Sequence, residues 1–160
     1  MLLWVLTLFS IAIARGQVMN QGSIMCDLRN AFGGAFSSWS CDGSVPENLC
    51  TTWNHITCSG EAVVSLSTSD AWIGGTIPSS IGQLSTLSVL AISGGGIHGT
   101  LPALNSLMLL TSLNLSANKL SGGFLPYSES LTNLITLDLS SNKLQSSIPS
   151  SISQYSALET

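Results

Sequence analysis

Leucines recur along the second half of the chain with a spacing that favours short strands joined by turns. In residues 110–120, LTSLNLSANKL, leucine stands at 110, 113, 115 and 120, and asparagine at 118. Leu113 and Leu115 alternate, so both side chains point to one face of a short strand. Asn118 falls where the chain turns, and its short amide can bond backbone groups that lack a strand partner. The segment therefore predicts a strand followed by an asparagine-closed turn.

The same frame recurs at steps of 23 or 24 residues on both sides of this segment. Four units share the first strand leucine, at Leu66, Leu90, Leu113 and Leu137, and Leu158 begins a fifth unit. A period of this size predicts a solenoid, whose stacked units bury one continuous core that no single unit could bury alone. Ala71 and Gly95 replace the asparagine in the first two units, so we expect the amino-terminal half of the array to be less regular.

Each unit also has a second half that contains glycine and proline, as in Gly99-Thr100-Leu101-Pro102. The two halves together read LxxLxLxxNxLxGxIPxxI. Over residues 63–160 this pattern resembles the plant-type leucine-rich repeat family, which includes receptor-like kinases, receptor-like proteins and polygalacturonase-inhibiting proteins. The resemblance implies an α/β leucine-rich repeat solenoid, right-handed, with a parallel sheet on its concave face. The second halves are expected to build the turns and the convex side.

Residues 1–14, MLLWVLTLFSIAIA, have the length of a signal-peptide core and are too short to span a bilayer. The A-x-A sequence at 12–14 favours cleavage after Ala14 or Gly16. The positive residues that usually precede such a core are missing, and the alternatives are a buried strand or a membrane anchor. We expect a signal peptide at 1–14 and an extracellular or secretory-pathway location.

Four cysteines, Cys26, Cys41, Cys50 and Cys58, precede the repeats. An even count in a secreted chain indicates disulfides, and three pairings are possible. Sequential pairing keeps both loops local, and closing the first loop of about 15 residues would contribute roughly 3 kcal/mol on the chain-entropy model. A zinc site is the rival interpretation, but the chain has no C-x-x-C pair. We expect no metal and no other cofactor.

Residues 50–58, CTTWNHITC, resemble the CxWxGVxC signature of the plant-type amino-terminal cap, with His55 in place of the glycine. The expected cap spans 15–62 and is stapled by disulfides over the apolar end of the first repeat. Trp39 and Trp53 are expected to pack in its core.

A short helix is also expected in the cap. Leu28, Ala31 and Phe32 share a helical face, Asp27 can cap the amino terminus of the helix, and Gly33-Gly34 can end it.

Outward positions of the repeat strands are the candidate binding surface. The binding candidates are Ser67, Ser69, Asp70, Ala91, Ser93, Asn114, Ser116, Asp138 and Ser140. The outward positions contain no Arg, Trp or Tyr, the residues that dominate binding hot spots. We therefore expect no tight protein ligand to be held by these four repeats alone. Asp70 and Asp138 lie three repeats apart, too far to act as a pair.

Asn114-Leu115-Ser116 is an N-glycosylation sequon on the outward side of a strand, so a glycan at Asn114 would shield part of the concave face. Residues 94–99, GGGIHG, match G-x-G-x-x-G, but they straddle a repeat turn instead of joining a strand to a helix. His55 and His98 are the chain's two histidines, and neither stands in a catalytic motif. We expect no enzymatic activity.

The net charge is −4 and only 8 % of residues are charged, which argues against nucleic acid as a partner because phosphates require clustered Lys and Arg. The resemblance implies a recognition module for a protein or peptide ligand, with a co-receptor as a further expected partner. The resemblance implies the amino-terminal part of a receptor-like ectodomain in signalling or defence. A secreted polygalacturonase inhibitor and a structural cell-wall or matrix protein are the alternatives.

The sequence stops two residues into the fifth unit, without a carboxy-terminal cap or a membrane-spanning run. We expect a longer protein, attached to a membrane only through a segment beyond Thr160.

Overall fold

A computed structural model describes residues 21–33, 36–42, 49–69, 73–123, 129–148 and 150–159. The expected signal peptide at 1–14 lies outside these ranges, as do Asp70 and Ala71. The described residues hold helices α1 (21–31) and α2 (Leu49–Thr52) and strands β1 (Ile56–Ser59), β2 (Ala62–Thr68), β3 (Val89–Ile92), β4 (His98–Thr100), β5 (Ser112–Asn114), β6 (Lys119–Gly122), β7 (Thr136–Asp138) and β8 (Lys143–Leu144). Short 3₁₀ turns cover Ser79–Gln83 and Ser150–Gln154.

The leucine strands form one sheet in the order β1-β2-β3-β5-β7. From β2 to β7 all pairs are parallel, and Leu66, Leu90, Leu113 and Leu137 stand side by side in register. The predicted parallel sheet of repeat strands is therefore confirmed. Strand β1 pairs antiparallel with β2 and extends the sheet with a strand from the cap.

A second sheet, in the order β4-β6-β8, runs through the halves of the repeats that follow the asparagine turn. Both of its pairs are parallel, and an isolated bridge between Thr76 and His98 continues it toward the cap. The repeat pattern alone did not predict this sheet. Among the described residues, α-helix is confined to the cap, and the repeats use strands and 3₁₀ turns.

Inward leucines and isoleucines of successive repeats form one buried core. Leu90, Leu113 and Leu120 have no solvent exposure. In the last described repeat the corresponding side chains, Leu137 and Leu144, are only partly buried, since no complete repeat covers them. The core thus depends on stacking along the solenoid axis.

The cap closes the amino-terminal end with a helix and stacked aromatic rings. Trp39 and Trp53 are buried, as predicted, and their rings stack at 5.2 Å. The Trp39 ring also stacks on Phe36 at 4.2 Å. Helix α1 packs so closely on the first repeat that a Cβ at Gly75 would overlap the Ala31 carbonyl.

The expectation that Asp27 caps the cap helix is wrong. Helix α1 already includes residue 21, so Asp27 lies inside it and is exposed. Ile24, Met25 and Leu28 are buried on the inner face of α1, and this apolar stripe extends the helix toward the amino terminus.

Both predicted disulfides are present, Cys26–Cys41 and Cys50–Cys58, with Cα atoms 5.7 and 5.8 Å apart. The sequential pairing is confirmed. His55, in the glycine position of the cap signature, has φ 67°, in the left-handed region that favours glycine.

Asparagine side chains tie the third and fourth repeats to the repeats that precede them. The Asn118 amide donates to the Leu115 carbonyl of its own turn at 3.1 Å and to the Ile92 carbonyl of the preceding strand at 2.8 Å. Its Oδ1 accepts the Ile97 N–H at 3.2 Å. Asn142 repeats this arrangement one repeat later. We call this series of bonds the asparagine ladder.

Gly95 stands in the asparagine position of the second repeat, which has no side-chain amide but keeps a backbone bond to the preceding repeat. The Gly96 N–H donates to the Ile73 carbonyl at 2.5 Å. A Cβ at Gly95 would lie 2.7 Å from that same oxygen and 3.2 Å from Asn118 Oδ1. The Lys119 N–H makes the equivalent bond to the Ile97 carbonyl at 2.7 Å beside Asn118, so the bond itself does not require glycine, but the closer approach at Gly95 leaves no room for a Cβ.

Replacing Asn118 with alanine is expected to lower the free energy of unfolding by about 3 kcal/mol, because the change leaves buried donors and acceptors without partners. Asn118 is only 7 % exposed. Asn142→Ala is the matched control at a half-buried site, where water can replace part of the loss, so its cost should be clearly smaller. Urea unfolding followed by tryptophan fluorescence measures both. Equal losses would contradict the role of burial.

Restoring the repeat pattern by Gly95→Asn is expected to destabilise the protein by about 2 kcal/mol, because the new Cβ forces the backbone away from Ile73. Gly123→Ala is the control, since a Cβ there meets no atom within 4 Å. The same unfolding measurement compares the two. If Gly95→Asn instead stabilised the protein, the hydrogen bonds gained by extending the asparagine ladder would contribute more free energy than the steric clash with Ile73 costs.

Candidate functional site

The outward side chains of the main sheet form three parallel columns, which we call the concave face. The columns run across β2, β3, β5 and β7 and consist of Ser65, Val89, Ser112 and Thr136; of Ser67, Ala91, Asn114 and Asp138; and of Ser69, Ser93, Ser116 and Ser140. All of these side chains are half-buried or exposed. Neighbouring parallel strands lie about 4.8 Å apart, so the columns offer closely spaced polar groups on a shallow surface.

The Asn114 and Asp138 side chains fold back onto the residues two positions ahead of them. Asn114 Oδ1 accepts the Ser116 backbone N–H at 3.0 Å and its hydroxyl at 2.7 Å. Asp138 Oδ1 accepts the Ser140 N–H at 2.9 Å. Hydrogen bonds from the Ser140 hydroxyl and N–H lower the pKa of Asp138 below its usual value. Asp138 is therefore a fixed negative charge on the concave face at neutral pH.

Other outward hydroxyls are used inside the fold. Ser88 donates to the Val64 carbonyl at 2.9 Å, and Thr111 donates to the Ser88 carbonyl at 3.0 Å. Thr136 donates to the Ser112 hydroxyl at 2.7 Å. The hydroxyls of Ser88 and Thr111 therefore hold neighbouring repeats together at the edge where the strands begin.

The structure brings most of the sequence-predicted binding residues onto this face. Those present are Ser67, Ser69, Ala91, Ser93, Asn114, Ser116, Asp138 and Ser140. Asp70 lies outside the described residues. Which of these residues contact a ligand stays a prediction.

An exposed apolar pair, Met108 and Leu109, was not singled out from the sequence. These side chains are 58 % and 54 % exposed on the turn that leads into β5. The corresponding positions in the flanking repeats are the polar pairs 85–86 and 132–133. Comparison of each repeat position along the array would have revealed the change.

The motif at 94–99 forms the turn after β3 and the start of β4, so a strand follows the glycines where a dinucleotide site requires a helix. In the described part of the chain, no group of three or more His, Cys, Asp and Glu side chains is arranged to hold a metal ion. No helix within those residues is long and apolar enough to cross a membrane.

Comparison with known proteins identifies two of these repeats. The Leucine Rich Repeat family model matches residues 109–131 and 133–155. A leucine-rich repeat receptor-like protein kinase of Arabidopsis thaliana, whose name questions its kinase activity, is 41 % identical over 76 residues. That match covers 46 % of this chain and 10 % of the relative, so the chain spans about a tenth of the relative's length.

Solved plant structures share the fold over most of this chain. One chain of the BIR3–SERK2 complex from Arabidopsis thaliana matches with a TM-score of 0.73 and 29 % identity, over 84 % of this chain and 76 % of that one. A chain of the Arabidopsis receptor kinase HAESA complex, with the peptide hormone IDA and the co-receptor SERK1, matches with a TM-score of 0.73 and 31 % identity. That match covers 86 % of this chain and 24 % of the other.

We expect the chain to carry an N-linked glycan at Asn114 when it is expressed through the secretory pathway of plant cells, because the sequon is complete and its asparagine lies on the outward side of β5. Ser116→Ala should abolish the glycan, and peptide N-glycosidase should shift the wild-type mass to that of the unglycosylated chain. Ser140→Ala, in the same column but outside the sequon, should leave the glycan in place. An unshifted wild-type mass would contradict the assignment.

Proposed function

Since the chain is a plant-type leucine-rich repeat protein, we propose that it is an extracellular recognition module that binds a peptide or protein partner on its concave face. The observation that supports this most directly is the parallel sheet β2-β3-β5-β7, whose outward columns are polar and accessible. A sheet of this kind recognises shape and hydrogen-bonding groups, and the proposal includes no catalytic step.

The similar structures indicate the class of partner. HAESA is in complex with a peptide hormone and a co-receptor, and BIR3 is in complex with SERK2. We extend both kinds of contact, with a peptide and with a second ectodomain, to this chain. The concave face supplies hydroxyls, one amide and the fixed charge of Asp138, which suit the backbone and polar side chains of an extended peptide.

The carboxy-terminal end of the solenoid is suited to a further repeat. Leu137, Leu139 and Leu144 are only partly buried there, and Ile148 is 66 % exposed. The Glu159 N–H already bonds the Ile135 carbonyl, which continues the main sheet past β7. We therefore propose that the module works as the amino-terminal part of a longer receptor-like ectodomain at the cell surface.

Binding to the BIR3 and SERK2 ectodomains, measured by biolayer interferometry, tests the proposal. We expect at least one to bind the chain, with a micromolar or weaker dissociation constant, because the concave face lacks the Arg, Trp and Tyr of typical hot spots. Ala91→Arg places a long cation in the middle column and should weaken binding by about tenfold or more.

The matched control is Ala103→Arg, which makes the same change at an exposed residue outside the strands and should leave affinity within about twofold. Nanomolar binding that Ala91→Arg leaves unchanged would place the interface elsewhere. Binding of a purified fungal polygalacturonase, together with no binding to either ectodomain, would favour an inhibitor instead.

A further inference from the structure

The cap contains a cleft that is distinct from the concave face. Its volume is about 400 Å³, and it is lined by Arg29 of helix α1 and by the loop 37–42. Net charge is negative over the whole chain, and only four residues are Lys or Arg. One of these few cations thus stands in the wall of a cleft.

Among the described residues, the buried Nε atom of Arg29 has no hydrogen-bond partner. A guanidinium carries five N–H donors in a fixed fork, and a buried donor without an acceptor is costly to the fold. An acceptor from outside the chain can pair with the N–H groups of Arg29 that line the cleft.

The loop 37–42 is held in place by bonds on several sides. The Cys26–Cys41 disulfide ties the end of the loop to α1. Ser38 donates to the Asn54 side chain at 2.5 Å, and the Trp39 indole N–H donates to the Asn54 carbonyl at 3.0 Å. A ligand entering the cleft therefore meets a wall that is already ordered, so little conformational entropy is lost on binding.

The charges of the wall select among oxyanions. Arg29 favours a planar carboxylate or a phosphate, both of which accept two parallel N–H bonds. Asp42 lies in the same wall, where its Oδ1 accepts the Ser40 hydroxyl at 3.0 Å, and its negative charge disfavours a dianion. A singly charged carboxylate fits this combination better than phosphate or sulfate.

We propose that the Arg29 cleft is a binding site for a peptide carboxylate, supplied by a carboxy terminus or by an Asp or Glu side chain. Arg29 pairs with the carboxylate, and the exposed Ser37 hydroxyl at the rim of the cleft donates a further hydrogen bond. The site lies in the cap, away from the concave face, and would bind a different part of a ligand.

The Nε–Hε resonance of Arg29 in ¹⁵N NMR spectra of the full chain, with both disulfides formed, reports on the site directly. The chain has only one other arginine, Arg15, so Arg29→Lys assigns the signal. The probes are acetyl-glycylglycine and its carboxamide, which differ only in the carboxylate, and inorganic phosphate. A second pair, the carboxamides of acetyl-aspartate and acetyl-asparagine, separates a side-chain carboxylate from a terminal one.

We expect a saturable shift of the Arg29 signal and of the backbone signals of residues 37–40 with the carboxylate probes, and none with their amides. Arg29→Gln should weaken the response at residues 37–40 by about tenfold or more, because the charged fork is lost. Lys119→Gln removes the same charge from the exposed side of β6 and should change nothing. An unchanged urea midpoint of unfolding shows that each variant retains its fold.

Three results would overturn the proposal. The first is equal binding of the acid and the amide, and the second is tighter binding of phosphate than of the carboxylates. The third concerns Glu47, a carboxylate that lies outside the described residues. If Glu47→Gln shifts the Arg29 signal without any probe, Arg29 already has an acceptor within the chain.

Discussion

The burial of each repeat by its neighbours is the constraint on which the whole structure depends. A repeat of 23 or 24 residues contributes only a few inward side chains, and these are fully buried where a repeat lies on both sides, as at Leu113 and Leu115. Where only one side is covered, as at Leu137 and Leu139, they stay partly exposed. Stability is therefore approximately a sum of contacts between neighbours, and both ends of the array need a cover.

The same constraint limits the means of recognition. Every second strand residue packs in the core. Some outward hydroxyls, such as that of Thr111, already donate a hydrogen bond to the neighbouring repeat. Among the described residues, the remaining surface consists of small polar groups with a fixed charge at Asp138. The cationic cleft at Arg29 supplies an interaction that the sheet lacks. A ligand that engaged both surfaces would gain affinity from two weak contacts held on one rigid frame.

Features that depend on neighbours in sequence could be predicted, and features that depend on packing between distant segments could not. The repeat period predicted the parallel strands, and the local spacing of the cysteines favoured the sequential pairing that the structure shows. The second sheet was missed because its strands, such as β8 with two residues, carry no alternation long enough to recognise. The tight contact at Gly95 and the unpartnered Nε of Arg29 were missed because each depends on residues brought close only by the fold.

The asparagine ladder has a direction, and this matters during synthesis on the ribosome. The Ile92 carbonyl receives its bond from Asn118, 26 residues later, and the Leu115 carbonyl from Asn142, 27 residues later. A newly made repeat therefore remains incomplete until roughly one further repeat has left the exit tunnel. The growing end of the nascent chain is always its least protected part, so a secretory chaperone that binds unfinished β-structure would follow that end as the solenoid lengthens.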